Sequence, residues 1–226
     1  MKTQDFPRFR AVADRAVLVE FGERIAQKIH AQVIRLDRIL AAIPVLGMIE
    51  TVPAYASLLI TFDPQVTDHA AVISDVRERL QRPDMPQVAG RTRDVDICYE
   101  DDLGTDLAQV ANLTGIGKEQ VIAAHLAAEY QVYLYGFAPG YAYLAGVPTG
   151  LHLPRKPAAV RDVPAGRVII AGPQCIVTTL KMPTGWWIIG ASPTRILTGD
   201  PTRPFLFDVG DTVRFRRIRR SEYDAL

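Results

Sequence analysis

Tyr130-Gln131-Val132-Tyr133-Leu134-Tyr135-Gly136-Phe137-Ala138-Pro139-Gly140-Tyr141-Ala142-Tyr143-Leu144 decides the fold, because helical periodicity stops here and strand-like aromatic alternation begins. Gly136 and Gly140 admit dihedrals and close backbone approach that other residues resist. Pro139 fixes its own φ and pushes Ala138 toward extended geometry. The stretch reads as strand, tight turn, strand, with rings crowded at the bend. Such a bend is either a hairpin corner with core aromatics or the wall of a concave site.

Downstream, short apolar runs alternate with Gly/Pro turns as far as Ile218, the pattern of a sandwich or closed barrel. Upstream the pattern differs. Leu103 to Leu113 and Lys118 to Ala128 read as short helices around a Gly-Ile-Gly break. Before them, Arg8–Val12 and Ala16–Phe21 read as strands joined at Ala13-Asp14-Arg15. Ile25, Ile29, Val33, Leu36, Leu40 and Ile43 then form one helical stripe that Pro44 ends. Val45–Thr51 and Ala56–Phe62 are strand-like. Thr67 or Asp68 caps a second helix reaching Leu80, and Arg91–Tyr99 alternates as a half-buried strand. With the first strand set aside as a hairpin arm, the order βαββαβ predicts a ferredoxin-like domain. The fold class expected is α+β: a ferredoxin-like domain over residues 1–90 and a β-barrel over 91–226, with the boundary inside 82–103. The segment 81–90 is the expected connection.

The chain has 226 residues, 48% of them hydrophobic and 23% charged, which excludes disorder and low complexity. A net charge of +1 gives no broad field for nucleic acid or a membrane surface. Arg214, Arg216, Arg217, Arg219 and Arg220 are interleaved with Val213, Phe215 and Ile218, as solvated arginines on a half-buried strand would be. Cys98 and Cys175 are the two cysteines. With no N-terminal leader pattern and no apolar run of membrane length, a cytoplasmic protein is expected.

No Gly-x-Ser-x-Gly elbow is present, and the four serines suggest no triad. His30, His69, His125 and His152 lack metal-ligand spacing, so no metal site is expected. Asn112-Leu113-Thr114-Gly115-Ile116-Gly117-Lys118-Glu119 approaches a phosphate loop. It has Asn112 in place of the first glycine and Glu119 in place of the magnesium-binding hydroxyl. Phosphate would meet a carboxylate there.

Other residues suit ligand chemistry. His125, near a helix C-terminus, is placed for the protonated form. Arg155 and Arg161, with Lys156 beside them, flank a Pro-containing stretch and suit bidentate capture of an anion. Gln174, at a strand end, can both donate to and accept from an amide. Of Trp186 and Trp187, one ring is free to line a cavity while the other packs inside. Each has a plain structural alternative: a core or surface histidine, solvated loop charges, a turn residue, core rings.

Together these segments resemble one family. His125, Tyr130, Val132, Gly136-Phe137, Pro139-Gly140 and Tyr143-Leu144 match its H-x4-Y-x-V…G-F-x-P-G-F-x-Y-L motif, with Tyr141 replacing the second Phe. Leu153-Pro154-Arg155, Arg161, Val163-Pro164-Ala165-Gly166, Ile170-Ala171-Gly172, Gln174, Gly185-Trp186, Ile189-Gly190, Pro193 and Gly210-Asp211-x-Val213-x-Phe215 continue it. The chain resembles the family of KipI and the 5-oxoprolinase B subunits, also called allophanate hydrolase subunit 1.

The resemblance implies a cyclophilin-like β-barrel after the small N-terminal domain. It also implies work with subunits C and A in ATP-dependent opening of 5-oxo-L-proline to L-glutamate. Related domains form the carboxyltransferase part of biotin-dependent urea carboxylase (the allophanate hydrolase setting), and one branch inhibits a histidine kinase. ATP is the cofactor implied for the complex. A lactam carbonyl is a poor electrophile, and phosphorylating its oxygen would create a leaving group. By resemblance His125 is the acid/base or phosphate contact and Gln174 reads the amide, the two catalytic candidates. Arg155 and Arg161 clamp an anion, and Phe137, Tyr141 and Trp186 complete the substrate contacts. The chain departs from the family at Cys175-Ile176-Val177-Thr178-Thr179, at Met182-Pro183-Thr184 and at Ala191, where the family carries an arginine.

Overall fold

The computed structural model describes residues 5–81 and 90–226. The chain divides into two compact units, Met1–Val88 and Ala89–Leu226. Most of the expected connection at 81–90 lies outside the described residues.

In the first unit β1 (Arg8–Val12) and β2 (Ala16–Glu20) form a hairpin, followed by α1 (Gln27–Ala42), β3 (Met48–Pro53), β4 (Ser57–Phe62) and α2 (His69–Leu80). The sheet order is β1-β2-β4-β3, antiparallel throughout. Period-two alternation puts Val17, Val19, Leu58, Ile60 and Phe62 on one face. The α1 stripe (Val33, Leu36, Leu40) and Val72 and Val76 of α2 bury them completely or nearly so. Asp68 caps α2, its carboxylate accepting the Ala71 N–H at 2.9 Å. Arg79, buried at the other end of α2, pairs with Asp75 and donates to the Ile43 and Pro44 carbonyls at 2.5 and 3.3 Å, which satisfies the end of α1.

The ferredoxin-like expectation needs correcting in its last strand. That topology places its final strand beside its first, here β2, but β1 holds that edge. β1 reaches β2 through a three-residue turn and closes almost no loop, so it occupies the edge at small entropic cost. The strand expected to finish this sheet is β5 (Thr92–Ile97), and it belongs to the second unit.

There the order continues with α3 (Leu107–Thr114), α4 (Lys118–Ala127), β6 (Tyr130–Tyr135), β7 (Ala142–Ala145), β8 (Val160–Val163), β9 (Arg167–Ala171), β10 (Gln174–Val177), β11 (Met182–Thr184), β12 (Trp187–Ala191), β13 (Thr212–Arg217) and α5 (Arg220–Asp224). Seven strands form one sheet in the order β12-β9-β10-β7-β6-β13-β5, with β13 and β5 parallel. Just past β5, Cys98 exchanges backbone hydrogen bonds of 2.8 and 2.9 Å with Ala191 of β12, so the two edges meet and the barrel is nearly closed. Asp211, 2% exposed, secures the return of the chain. It accepts from the Arg91 and Asp208 N–H groups at 2.7 and 3.0 Å and from Arg93 Nε at 3.1 Å.

The sheet is apolar on both faces. Val168, Ile170, Cys175, Val177, Trp187, Ile189, Val213 and Phe215 point to the inner core, which α3 and α4 share. The residues between them, Ile169, Ala171, Ile176 and Ile188, point outward and meet Tyr141, Val163 and Trp186. The small β8–β11 sheet contributes Val163 to this outer cluster. The arginines of β13 and after lie at the surface, as read from the sequence, and there they form ion pairs: Arg214 with Glu129, Arg216 with Asp96, Arg217 with Glu119 and Arg220 with Asp102. Gly115 (φ 72°) ends α3 and Gly117 is the N-cap of α4, so the glycines of the near-phosphate loop form a helix-to-helix turn.

Candidate functional site

The turn between β6 and β7 builds a wall. Gly136 N–H donates to the Tyr141 carbonyl (3.2 Å), Ala138 N–H to the Gly136 carbonyl (2.9 Å) and Tyr141 N–H to the Ala138 carbonyl (3.0 Å). The Ala138 to Gly136 bond closes a three-residue γ-turn centred on Phe137, whose φ of +71° lies where side chains are strained. Gly140 (φ +69°) holds a backbone conformation strained for any side chain, and a Cβ there would also press on the tip of Leu197, 2.7 Å from its Cδ2. The result projects Phe137 into solvent, 76% exposed, and seats Tyr141 in the outer cluster at 5%.

Tyr141 and Tyr143 share the outward face, and their rings continue a chain of contacts. Phe137 to Tyr141 is 5.4 Å, Tyr141 to Tyr143 5.8 Å and Tyr143 to Trp186 6.0 Å between centroids. Arg155 lies over Trp186, its guanidinium carbon 5.6 Å from the ring centroid. With Thr184, these residues line a cavity of about 130 Å³. Burial, with Tyr143 adding to it, pushes the Tyr141 hydroxyl up to about 12 against the opposing pull of Arg155. The hydroxyl therefore stays protonated at neutral pH and is available as a donor.

The guanidinium stands on a fixed base. The next residue, Lys156, is 9% exposed. Its N–H donates to the Gly185 carbonyl (2.7 Å) and its Nζ to Asp106 (2.5 Å). Asp106 also accepts the Ile188 N–H at 2.7 Å. Trp186 and Trp187 separate as alternation requires: Trp186 faces the cavity, and Trp187 turns inward and donates Nε1–H to the Pro154 carbonyl at 2.7 Å.

His125 sits elsewhere. It is wholly buried in the inner core. Its Nδ1 lies 2.8 Å from the Tyr99 hydroxyl, its Nε2 lies 3.7 Å from Cys175 Sγ, and Phe215 and Tyr130 lie against the ring at 4.6 and 5.1 Å. Burial depresses its pKa to about 3. The imidazole is therefore neutral, which corrects the protonated form expected from the helix end: desolvation outweighs a partial dipole charge. Burial likewise raises the Cys175 thiol and the Tyr99 hydroxyl. Cys175 faces inward while Ile176 faces outward, so His125 and the aromatic cavity occupy opposite faces of one sheet. His125, expected by resemblance to join the site, therefore stands apart from the turn.

Gln174 opens β10, half-buried, on the outward face with Ile176, and does not line the cavity. Arg161 is exposed on β8, also away from the lining. Of the expected site, the structure brings Phe137, Tyr141, Arg155 and Trp186 together. Tyr143 was detectable, since period two gives it the face of Tyr141. The Asp106–Lys156 pair joins residues fifty apart and leaves no local pattern. Ala191 is fully buried at the barrel seam, opposite Arg167 of β9 and beside Cys98. No group of three or more His, Cys, Asp or Glu able to hold a metal occurs among the described residues, and no described helix is long and apolar enough to cross a membrane.

Residues 7–207 match the family model of the carboxyltransferase domain, subdomain C and D. The chain is 34% identical over 225 residues to the 5-oxoprolinase B subunit of Bacillus subtilis (strain 168), covering 95% of this chain and 94% of that one. It superposes on the solved structure of TTHA0988 with a TM-score of 0.78 at 33% identity, over 91% of this chain and 40% of that longer one. The K. lactis urea amidolyase shares the fold, with a TM-score of 0.77 at 18% identity over 96% of this chain and 15% of that one. The nearly closed barrel, the outward aromatic turn and these likenesses agree: the chain belongs to the family of carboxyltransferase domains, subdomains C and D, in which its relatives are 5-oxoprolinase B subunits.

Proposed function

We propose that the chain is the substrate-holding B-type subunit of an ATP-dependent 5-oxoprolinase complex, which opens 5-oxo-L-proline to L-glutamate with subunits A and C. One observation carries this reading. A cavity of about 130 Å³ walled by Tyr141, Tyr143 and Trp186, with one guanidinium at its side, suits a small flat ring bearing a carboxylate. The names of the 5-oxoprolinase relatives support it.

In this reading Arg155 takes the carboxylate in a charge-assisted pair, and the rings cover the lactam faces. The Tyr141 hydroxyl, held protonated, donates to a ring polar atom. Phe137 closes over the mouth and limits water. Lys156 and Asp106 are positioning residues that keep Arg155 over Trp186. His125 acts through the wall, holding Cys175 and β10 from behind as a neutral imidazole.

The loop at 112–119 does not fit ATP phosphates. Its glycines cap helices, and Glu119 presents a carboxylate already paired with Arg217 at 2.7 Å. The phosphoryl step is therefore assigned to the partner subunits, and this chain's share is binding and orientation. The test is glutamate release from 5-oxoproline and ATP by the reconstituted A, B and C subunits. Release that requires this chain supports the reading. No release, under conditions where the B. subtilis subunits are active, removes it.

A further inference from the structure

The turn has a second side. Behind Gly140 and Pro139 lies a larger cavity, about 280 Å³, lined by Gly166, Thr179, Ser192, Thr194, Arg195 and Leu197 among others. Thr179 donates its hydroxyl to the Pro139 carbonyl at 2.7 Å, and Leu197 packs where a Gly140 side chain would stand. Both cavities therefore border the same turn.

Thr178 and Thr179 spend their hydroxyl protons on the Pro164 and Pro139 carbonyls, at 3.0 and 2.7 Å, but two other hydroxyls of this second cavity keep theirs. Ser192, 3% exposed, accepts the Thr194 N–H at its Oγ (3.1 Å). Thr194 accepts the Asp96 N–H at its Oγ1 (3.3 Å). An oxygen that already accepts a backbone N–H retains its own O–H to give, and neither hydroxyl gives it to a protein acceptor among the described residues. Arg195 contributes a forked guanidinium and forms no ion pair among the described residues. No Asp or Glu side chain belongs to the described lining. Two hydroxyl protons and a guanidinium around a cavity without carboxylates match an oxyanion.

We propose that this cavity is a binding site for a small oxyanion, a phosphate or a carboxylate group, held by Arg195 with the Ser192 and Thr194 hydroxyls. The inference rests on the donors and the cavity alone and does not depend on the 5-oxoprolinase reading.

The experiment is calorimetric titration of the full chain, in a buffer free of both ions, with orthophosphate in one arm and acetate in the other. Amide shifts of Gly166, Ser192 and Thr194 are followed by NMR. Saturable one-site binding below about 10 mM in either arm, with shifts at those amides, supports the site and shows which oxyanion it takes. Arg195→Gln, at an exposed position, is expected to weaken that binding about 10- to 100-fold, and Arg195→Lys less. The shifts at Gly166, Ser192 and Thr194 persist in Arg155→Gln, which removes only the guanidinium of the aromatic cavity. The proposal is overturned by no saturation in either arm, by an Arg195→Gln variant in which those shifts titrate as in the parent, or by their loss in Arg155→Gln, which would assign the ion to the aromatic cavity.

Discussion

Replacing Phe137 with glycine separates what the turn does for stability from what it does for binding. The native φ of +71° costs a side-chain-bearing residue about 1–3 kcal/mol, and glycine removes that cost. Against this, glycine adds freedom to the unfolded chain, worth about 0.4–1 kcal/mol. Loss of the 5.4 Å contact with Tyr141 costs about 0.5–1.5 kcal/mol. The ring is 76% exposed, so little burial is lost besides. The terms nearly cancel, and Phe137→Gly is expected to change unfolding free energy by no more than about 1 kcal/mol. Phe137→Ala keeps the strain and loses the ring, so it is expected to be the less stable of the two by about 1 kcal/mol. Urea unfolding of the two variants measures this, and titration of 5-oxoproline into the assembled complex measures binding, which is expected to fall in both. A glycine variant destabilised by more than about 2 kcal/mol, or less stable than the alanine variant, would refute the assignment of strain. Undiminished ligand binding in both would refute the role of the ring.

Asp211→Ala leaves the Arg93 guanidinium and two backbone N–H groups without their buried acceptor. An expected loss of about 3–5 kcal/mol would lower the melting temperature by roughly 10 °C or more, and a shift under about 3 °C would contradict the clasp. His125 has a folded pKa of about 3 against an ordinary value of 6.5. Below pH 6.5 the unfolded state takes up the proton and the folded state does not, so stability falls with pH from 6.5 down to about 3 and is unaffected above. From pH 6.5 to 5.0 the expected loss is about 2 kcal/mol, read from urea midpoints and absent in His125→Gln; equal slopes in both proteins would sink it. Lys156→Met strands the Asp106 carboxylate and frees the Arg155 segment. It is expected to raise KM for 5-oxoproline with little change in kcat, and a fall in kcat at constant KM would show that the pair does more than position.

Much of this arrangement is legible where local chemistry dominates. Asp68 as a cap, Pro44 as a stop, and the alternation of Val213, Arg214, Phe215 and Arg216 each express one nearby physical preference, and the fold follows them. In the turn that follows β6, Gly140 is legible as a left-handed position, but the other left-handed φ falls on Phe137 and not on Gly136, which no glycine pattern signals. What else failed was non-local. Whether β1 or β5 takes the edge beside β2 depends on loop closure across the whole first unit, which periodicity does not encode. His125 reads as an exposed or protonatable helix end until the fold places Tyr99, Cys175 and Phe215 around it, from positions 26, 50 and 90 residues away. The cavity's outward facing depends on which side of a two-faced apolar sheet receives the helices, and both faces of β9 and β10 read as equally apolar.

The most direct test of the substrate-holding role is steady-state glutamate release by the reconstituted complex with Arg155→Gln in place of the parent chain. Loss of a charge-assisted carboxylate contact of about 1.5–3 kcal/mol predicts a KM for 5-oxoproline raised about 10- to 100-fold, with the KM for ATP unchanged. An unchanged KM for 5-oxoproline in a complex that still assembles would contradict the account.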